Sequence, residues 1–169
     1  RLGIDIALTC ESHNSILLNY MSVESLIKKN GKIKGVVAND SVNNNTFSVL
    51  GENVINATGV FSKSIMNMDS IKSESVIRPS QGVHLVIDKS FLKGSFGILV
   101  PKTSDGRVLF AVPWLDHVII GTTDSIVDKP SFNPLATQNE INFILENIKN
   151  YLEVYPNKND IKSVFVGLR

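Results

Sequence analysis

A histidine and a threonine-threonine-aspartate corner stand where core strands would be expected to be apolar. His84 interrupts the run GVHLVID, and Thr122, Thr123 and Asp124 end the β-branched run HVIIGTTD. An imidazole titrates near neutrality, so a histidine facing a ligand can accept a proton or donate a hydrogen bond. Hydroxyls and a carboxylate at a strand end can form the polar corner of a pocket, or they can merely satisfy the backbone of a turn. Arg169, directly after VFVG, carries a planar guanidinium suited to bidentate binding of phosphate or carboxylate. At a chain end, a loose surface charge is the plainer alternative. A lone histidine on an apolar strand is likewise more often a hydrogen-bonded core residue than a catalyst.

A further signal is VINATG (54–59), read as an apolar strand that ends in small-Thr-Gly. Such an ending lets the backbone turn sharply and approach a ligand with no Cβ in the way. By itself the run is more often a plain strand-to-helix turn. Its place in the chain matters, because a β-meander runs into it and a helix leaves it. That is the layout in which a dinucleotide sits at strand ends. Yet no G-x-G-x-x-G, no G-x-x-x-x-G-K-[ST] and no G-x-S-x-G is present, so the phosphate-binding loop of any nucleotide site is not in this chain. His13 and His117 do not read as co-ligands, and no His/Cys/Asp spacing resembles a metal site. Trp114, after Pro113, is expected in the core or in a pocket wall.

The elements that must position these groups read as mixed α and β. Residues 1–13 suit a helix, with Cys10 as inert packing on its face. SILLNYMSVESLIKK contains two β-type stretches, Asn30-Gly31 is a hairpin turn, and KIKGVVAND is the return strand. NNN (43–45) makes the next turn, TFSVLGENVINATG supplies one or two more strands, and 60–68 fits a short helix with Phe61, Ile65 and Met68 on one face. After about residue 70, four β-like runs at short spacing predict an antiparallel sheet. A helix is predicted over 137–152, with Thr137 and Glu140 as a capping box and Ile141, Ile144, Leu145, Ile148 and Leu152 as its apolar stripe. DIKSVFVGLR closes as a strand.

Composition narrows the classes. At 43% hydrophobic and 20% charged residues the chain is of globular type, and a net charge of +1 provides no field for nucleic acid or anionic lipid. The lysines at 28, 29, 32 and 34 read as a solvated hairpin tip. One cysteine excludes an internal disulfide and suits a reducing or thiol-neutral compartment. No apolar run reaches the roughly 18–20 residues of a membrane-spanning helix. The chain starts at Arg1 and stops inside a strand-like run, so a piece of a longer protein is expected.

The ordered motifs NYMSVESL, GKIKGVVAND, VINATGVFSKSIMNMD, RPSQGVHLVI, SDGRVLFAVPW, IIGTTDS, INFILENIKNYL and GLR resemble FAD-dependent glycerol-3-phosphate dehydrogenases, nearer the mitochondrial quinone-linked branch than the bacterial one. The similarity covers nearly all of the chain. It implies an α+β fragment in two parts. Residues 1–70 would be part of a discontinuous FAD-binding domain, and 71–169 most of an antiparallel-sheet substrate domain with a long helix. Carried over position by position, Val23 matches the adenine-facing backbone, and Ala57, Thr58 and Gly59 match an FAD-contacting turn. His84 matches a histidine near flavin and substrate, and Arg169 a substrate-contacting arginine. Thr122, Thr123 and Asp124 match a signature with a shaping role. Val60, Gln81 and Leu168 depart from the family pattern without removing a chemical group.

The resemblance further implies that the parent oxidises glycerol 3-phosphate to dihydroxyacetone phosphate and passes electrons through FAD to ubiquinone. The parent would be peripheral on the mitochondrial inner membrane, with no nucleic-acid partner. Alone, the fragment is expected to lack FAD and activity, and its ending is expected to leave Arg169 unanchored. A related flavin oxidase of amino acids or amines, and a non-catalytic binding domain, are the alternatives, since fold does not dictate function.

Overall fold

The computed structural model describes residues 1–69 and 77–169. The chain divides into two compact units, Arg1–Thr58 with Ser62–Glu74, and Gly59–Phe61 with Ser75–Arg169. The change of domain expected near residue 70 lies outside the described residues.

The first unit opens with helix α1 (Leu2–Ser12), none of whose residues is buried. Ile4, Ile6 and Leu8 recur every second residue, so on a 3.6-residue helix they point in different directions and build no single stripe. A three-stranded antiparallel meander follows: β1 (Met21–Lys29), β2 (Lys32–Asp40) and β3 (Asn45–Leu50). Asn30 and Gly31 both take positive φ, 53° and 74°, as a two-residue turn that matches the twist of its strands requires. They bring Lys29 opposite Lys32 and Met21 opposite Asp40. At the second turn both Asp40 carboxylate oxygens are occupied. They accept from the Val42 N–H at 2.9 Å and the Asn43 amide at 2.7 Å.

Three expectations for this unit need correction. The two β-type stretches before Asn30 reduce to one, because Tyr20 takes φ 57° and ends the extended chain before Met21. VINATG is no strand: none of the described residues pairs with it, and Ile55 is 86% exposed. The lysine cluster is not wholly solvated, since Lys28 Nζ reaches Asp69 Oδ1 at 2.6 Å. The helix after VINATG does form, as a 3-10 turn at Gly59–Phe61 continuing into α2 (Ser62–Met68), with Phe61, Ile65 and Met68 half-buried.

The second unit is a six-stranded sheet covered on one face. Its strands are β4 (Ser80–Asp88), β5 (Ile98–Val100), β6 (Leu109–Trp114), β7 (His117–Gly121), β8 (Ser125–Ile126) and β9 (Ile161–Leu168). They run in the order β5-β6-β7-β4-β8, and β9 pairs with β4. All the pairings are antiparallel, as the short spacing predicted. The period of two along β4 sends Val83, Leu85 and Ile87 to one face, where each is completely buried. Leu109, Ala111, Val118 and Ile120 join them from β6 and β7.

Helix α3 (Gln138–Ile148) covers this layer with Ile144 and Ile148, both completely buried. Thr137 caps it, and Thr137 with Glu140 forms the predicted capping box. The helix ends four residues earlier than 152, although Leu152 still reaches the core. Trp114, expected in the core or a pocket wall, is 62% exposed at the end of β6. It occupies the outward register of β6 with Phe110 and Val112, while Leu109 and Ala111 point inward.

Candidate active site

The uncovered face of the sheet brings His84, Thr122 and Arg169 together. On β4, the residues between the core positions are Ser80, Gly82, His84 and Val86. His84 lies opposite Gly121 of β7 and opposite Phe165 of β9. Its ring stacks on Phe165, with centroids 4.8 Å apart and planes 7° from parallel. On the other side Gly121 makes room for it. A Cβ at Gly121 would stand 2.4 Å from His84 Cδ2, nearer than real Cβ atoms come, so this position excludes any side chain. His84, Phe110, Val112, Ile119, Gly121 and Thr122 line a pocket of about 300 Å³.

His84 Nδ1 is buried without a hydrogen-bond partner among the described residues. Burial, and then the positive charge of Arg169, push the imidazole below its ordinary value of 6.5. Both causes disfavour the charged ring, so His84 is neutral at pH 7 and has a lone pair to offer. A buried ring nitrogen without a partner is costly unless a ligand supplies one.

Arg169 is ordered, contrary to the expectation that it would be unanchored. Its backbone exchanges two hydrogen bonds of 2.9 Å with Ser80, extending the β4–β9 ladder. Its guanidinium donates from Nη2 to the Thr123 carbonyl at 2.7 Å, and Nε lies 3.4 Å from Asp124 Oδ1. About half of each charged side chain stays exposed, 53% and 52%, so the pair contributes little to stability. What it supplies is direction. A Cβ at Gly82 would stand 2.5 Å from Thr122 Oγ1 and 3.0 Å from Arg169 Nη2, so this glycine admits the guanidinium against the strand.

The threonine-aspartate corner splits by face. Thr123 is 2% exposed, and its hydroxyl accepts from the Val83 N–H at 3.0 Å. Thr122 is half-buried and lines the pocket. Asp124 is exposed, and its carboxyl is held below the usual range by a hydrogen bond from Ser80, with burial opposing and Arg169 adding to the effect. Arg107 holds the corner from a loop, donating from Nη1 to the Asp124 carbonyl at 2.6 Å.

The other predicted residues belong to the turn after the meander and to β1. Val23 is half-buried opposite Ala38. Ala57 and Thr58 are exposed, and Asn56 Oδ1 accepts from the Thr58 hydroxyl at 2.7 Å. Gly59 takes φ +56° with nothing near its would-be Cβ, so its backbone is open to solvent. Small side chains and a left-handed glycine leave main-chain groups accessible to a ligand.

Sequence reasoning missed four contributors. Gly121 and Phe165 are visible only through strand pairing. Gln81 was noted as a departure, yet its amide donates to Glu140 Oε2 at 2.8 Å. The period of two along β4 places Gln81 on the buried face, so a buried partner could have been sought. Glu140 was read as a cap alone, but it is 5% exposed and receives several further bonds.

Comparison with known proteins identifies the family. Residues 2–169 match the family described as FAD dependent oxidoreductase. The chain is 38% identical to the human "Glycerol-3-phosphate dehydrogenase, mitochondrial" over all of its own length and 24% of that protein. It is 34% identical to the protein of that name from Schizosaccharomyces pombe, again over its whole length and 28% of the relative. The chain thus spans about a quarter of the curated relatives it matches. Among solved structures, the glycerol-3-phosphate dehydrogenase from Bacillus halodurans complexed with FAD superposes with a TM-score of 0.87 at 34% identity, covering 94% of this chain and 32% of that one. L-proline dehydrogenase from P. horikoshii shares the fold, with a TM-score of 0.68 at 18% identity over 96% of this chain and 41% of that one. With a match over residues 2–169, the chain belongs to the FAD dependent oxidoreductase family.

Proposed function

We propose that this chain is the substrate-facing part of an enzyme that oxidises glycerol 3-phosphate to dihydroxyacetone phosphate and passes the electrons through FAD to a quinone. The similarity to proteins named mitochondrial glycerol-3-phosphate dehydrogenase supports the substrate and a mitochondrial location. On this reading the parent is peripheral on the inner membrane. The observation that carries the reading is one open sheet face holding both required groups, a proton acceptor and a cation. His84 is neutral with an unpartnered buried nitrogen, and Arg169 presents a half-exposed cation anchored beside it.

The residues fit FAD. The apolar pocket beside His84, with a glycine at its floor where a Cβ has no room, suits a flat ring. Val23, Ala57, Thr58 and Gly59 would hold the cofactor through their backbones, the last three in an exposed turn of small residues. When bound, FAD supplies the hydride acceptor that the side chains lack. His84 takes the hydroxyl proton of the substrate as C2 is oxidised, a role in which a base typically gives about 10²–10⁴-fold in rate. Arg169 binds the phosphate, while Thr122, Thr123 and Asp124 shape the corner that aims it. The residues alone, without the rest of the parent chain, would be inactive.

The test is anaerobic flavin bleaching in the full-length protein. Glycerol 3-phosphate should bleach it and a panel of amino acids should not. Bleaching by an amino acid alone would transfer the assignment to an amine-oxidising relative, and a protein without flavin would leave only a binding role.

A further inference from the structure

We infer that Glu140 is a positioning residue for Arg169, acting through Thr123 from the start of α3. The inference rests on the proposed role of Arg169 in binding phosphate. A capping box needs only the Thr137 contacts, and Glu140 Oε2 makes them, accepting from Thr137 N at 2.9 Å and Thr137 Oγ1 at 2.8 Å. The other oxygen does something no cap requires. Oε1 accepts from the Thr123 hydroxyl at 3.2 Å, across 17 residues of sequence.

That hydroxyl is then held in both senses, because the same oxygen accepts from the Val83 N–H at 3.0 Å. A hydroxyl bonded in both senses has no freedom to rotate. The Thr123 carbonyl in turn receives Arg169 Nη2 at 2.7 Å and Thr122 Oγ1 at 3.0 Å. The contact between Arg169 and Asp124 is half-exposed and longer, so it constrains the guanidinium weakly. The rigid side of the corner is the buried one, and Glu140 is its charged centre at 5% exposure. Gln81 adds a fourth donor to the same carboxylate at 2.8 Å. Three of these four donors meet Oε2, so a glutamine that keeps its oxygen there would turn its amide N–H toward the Thr123 hydroxyl and force that hydroxyl to accept instead of donate.

The experiment uses the full-length, FAD-loaded protein and steady-state kinetics with glycerol 3-phosphate. Glu140→Gln should raise KM about tenfold, the equivalent of one buried hydrogen bond, while kcat falls less than about threefold. Arg169→Ala is measured beside it, with the double variant. If Glu140 works through Arg169, the double variant has the KM of Arg169→Ala alone. An unchanged KM for Glu140→Gln, or effects that multiply in the double variant, overturns the inference while leaving the substrate assignment intact. An unchanged KM for Arg169→Ala removes the phosphate role itself and this inference with it. Should Glu140→Gln lose its flavin, Thr123→Val cuts the same link, and the same comparison with Arg169→Ala decides.

Discussion

The two faces of the six-stranded sheet differ in what they ask of neighbouring residues. On one, Val83, Leu85, Ile87, Val118 and Ile120 are completely buried beneath α3. On the other, His84, Phe110, Val112 and Phe165 surround a pocket or stack at its edge, and the last three are 50%, 42% and 46% exposed. Adjacent positions of one strand therefore serve opposite ends, since alternation sends each to its own face. The covered face supplies the free energy that allows the open face to keep an unpartnered imidazole nitrogen and two side-chain-free glycine positions.

The two faces should respond most differently to substitution at His84 and at its neighbour Leu85. In the full-length protein, His84→Ala should slow flavin reduction at saturating glycerol 3-phosphate by at least about tenfold, and by as much as about 10⁴-fold. Anaerobic stopped-flow absorbance reads this directly, and an unchanged rate removes His84 as the base. Leu85→Ala should act on the other quantity, costing about 2–5 kcal/mol of stability because it opens a cavity under α3. Chemical denaturation measures it. A loss below about 1 kcal/mol would mean that the covered face is not the stabilising one.

Gly121→Ala tests the boundary between the faces. Its methyl group would meet the His84 ring and the Val83 carbonyl, at 2.4 and 2.9 Å if nothing moved. Displacement of the ring should lower the reduction rate about tenfold, since small misplacements of a catalytic group are costly. A wild-type rate would show that the ring position is not critical.

The smallest effect concerns pH. Because the His84 pKa lies below 6.5, the ring is more than half neutral at pH 6.5 and its protonation midpoint comes at lower pH. The acid limb of kcat/KM should therefore lie below 6.5 and disappear in His84→Ala. A limb centred at or above 6.5 would contradict the burial and the Arg169 charge as the governing influences.

Much of the architecture is legible in sequence because its causes are local. Asn30-Gly31 specifies a hairpin wherever it stands, since both residues accept positive φ. Thr137 and Glu140 mark the start of α3 within a single turn, and the alternation in GVHLVID sorts β4 into two faces. The family resemblance singled out His84 and Arg169 as expected site residues, and the β4–β9 register sets both on the open face. VINATG misled because an apolar, β-prone run becomes a strand only beside a partner, and none of the described residues offers one.

The set of elements, and the residue types available to each, is written in local sequence. Which residues meet depends on the packed fold. Register places His84 between Gly121 and Phe165, and the β4–β9 ladder brings Arg169 to Thr123, 46 residues earlier in the chain. The docking of α3 turns a helix cap into the centre of a buried network with Gln81 and Thr123. These contacts join segments distant in sequence, and no local propensity encodes them. They follow from burying one face of a sheet, which imposes a single register and, with it, the composition of the face left open.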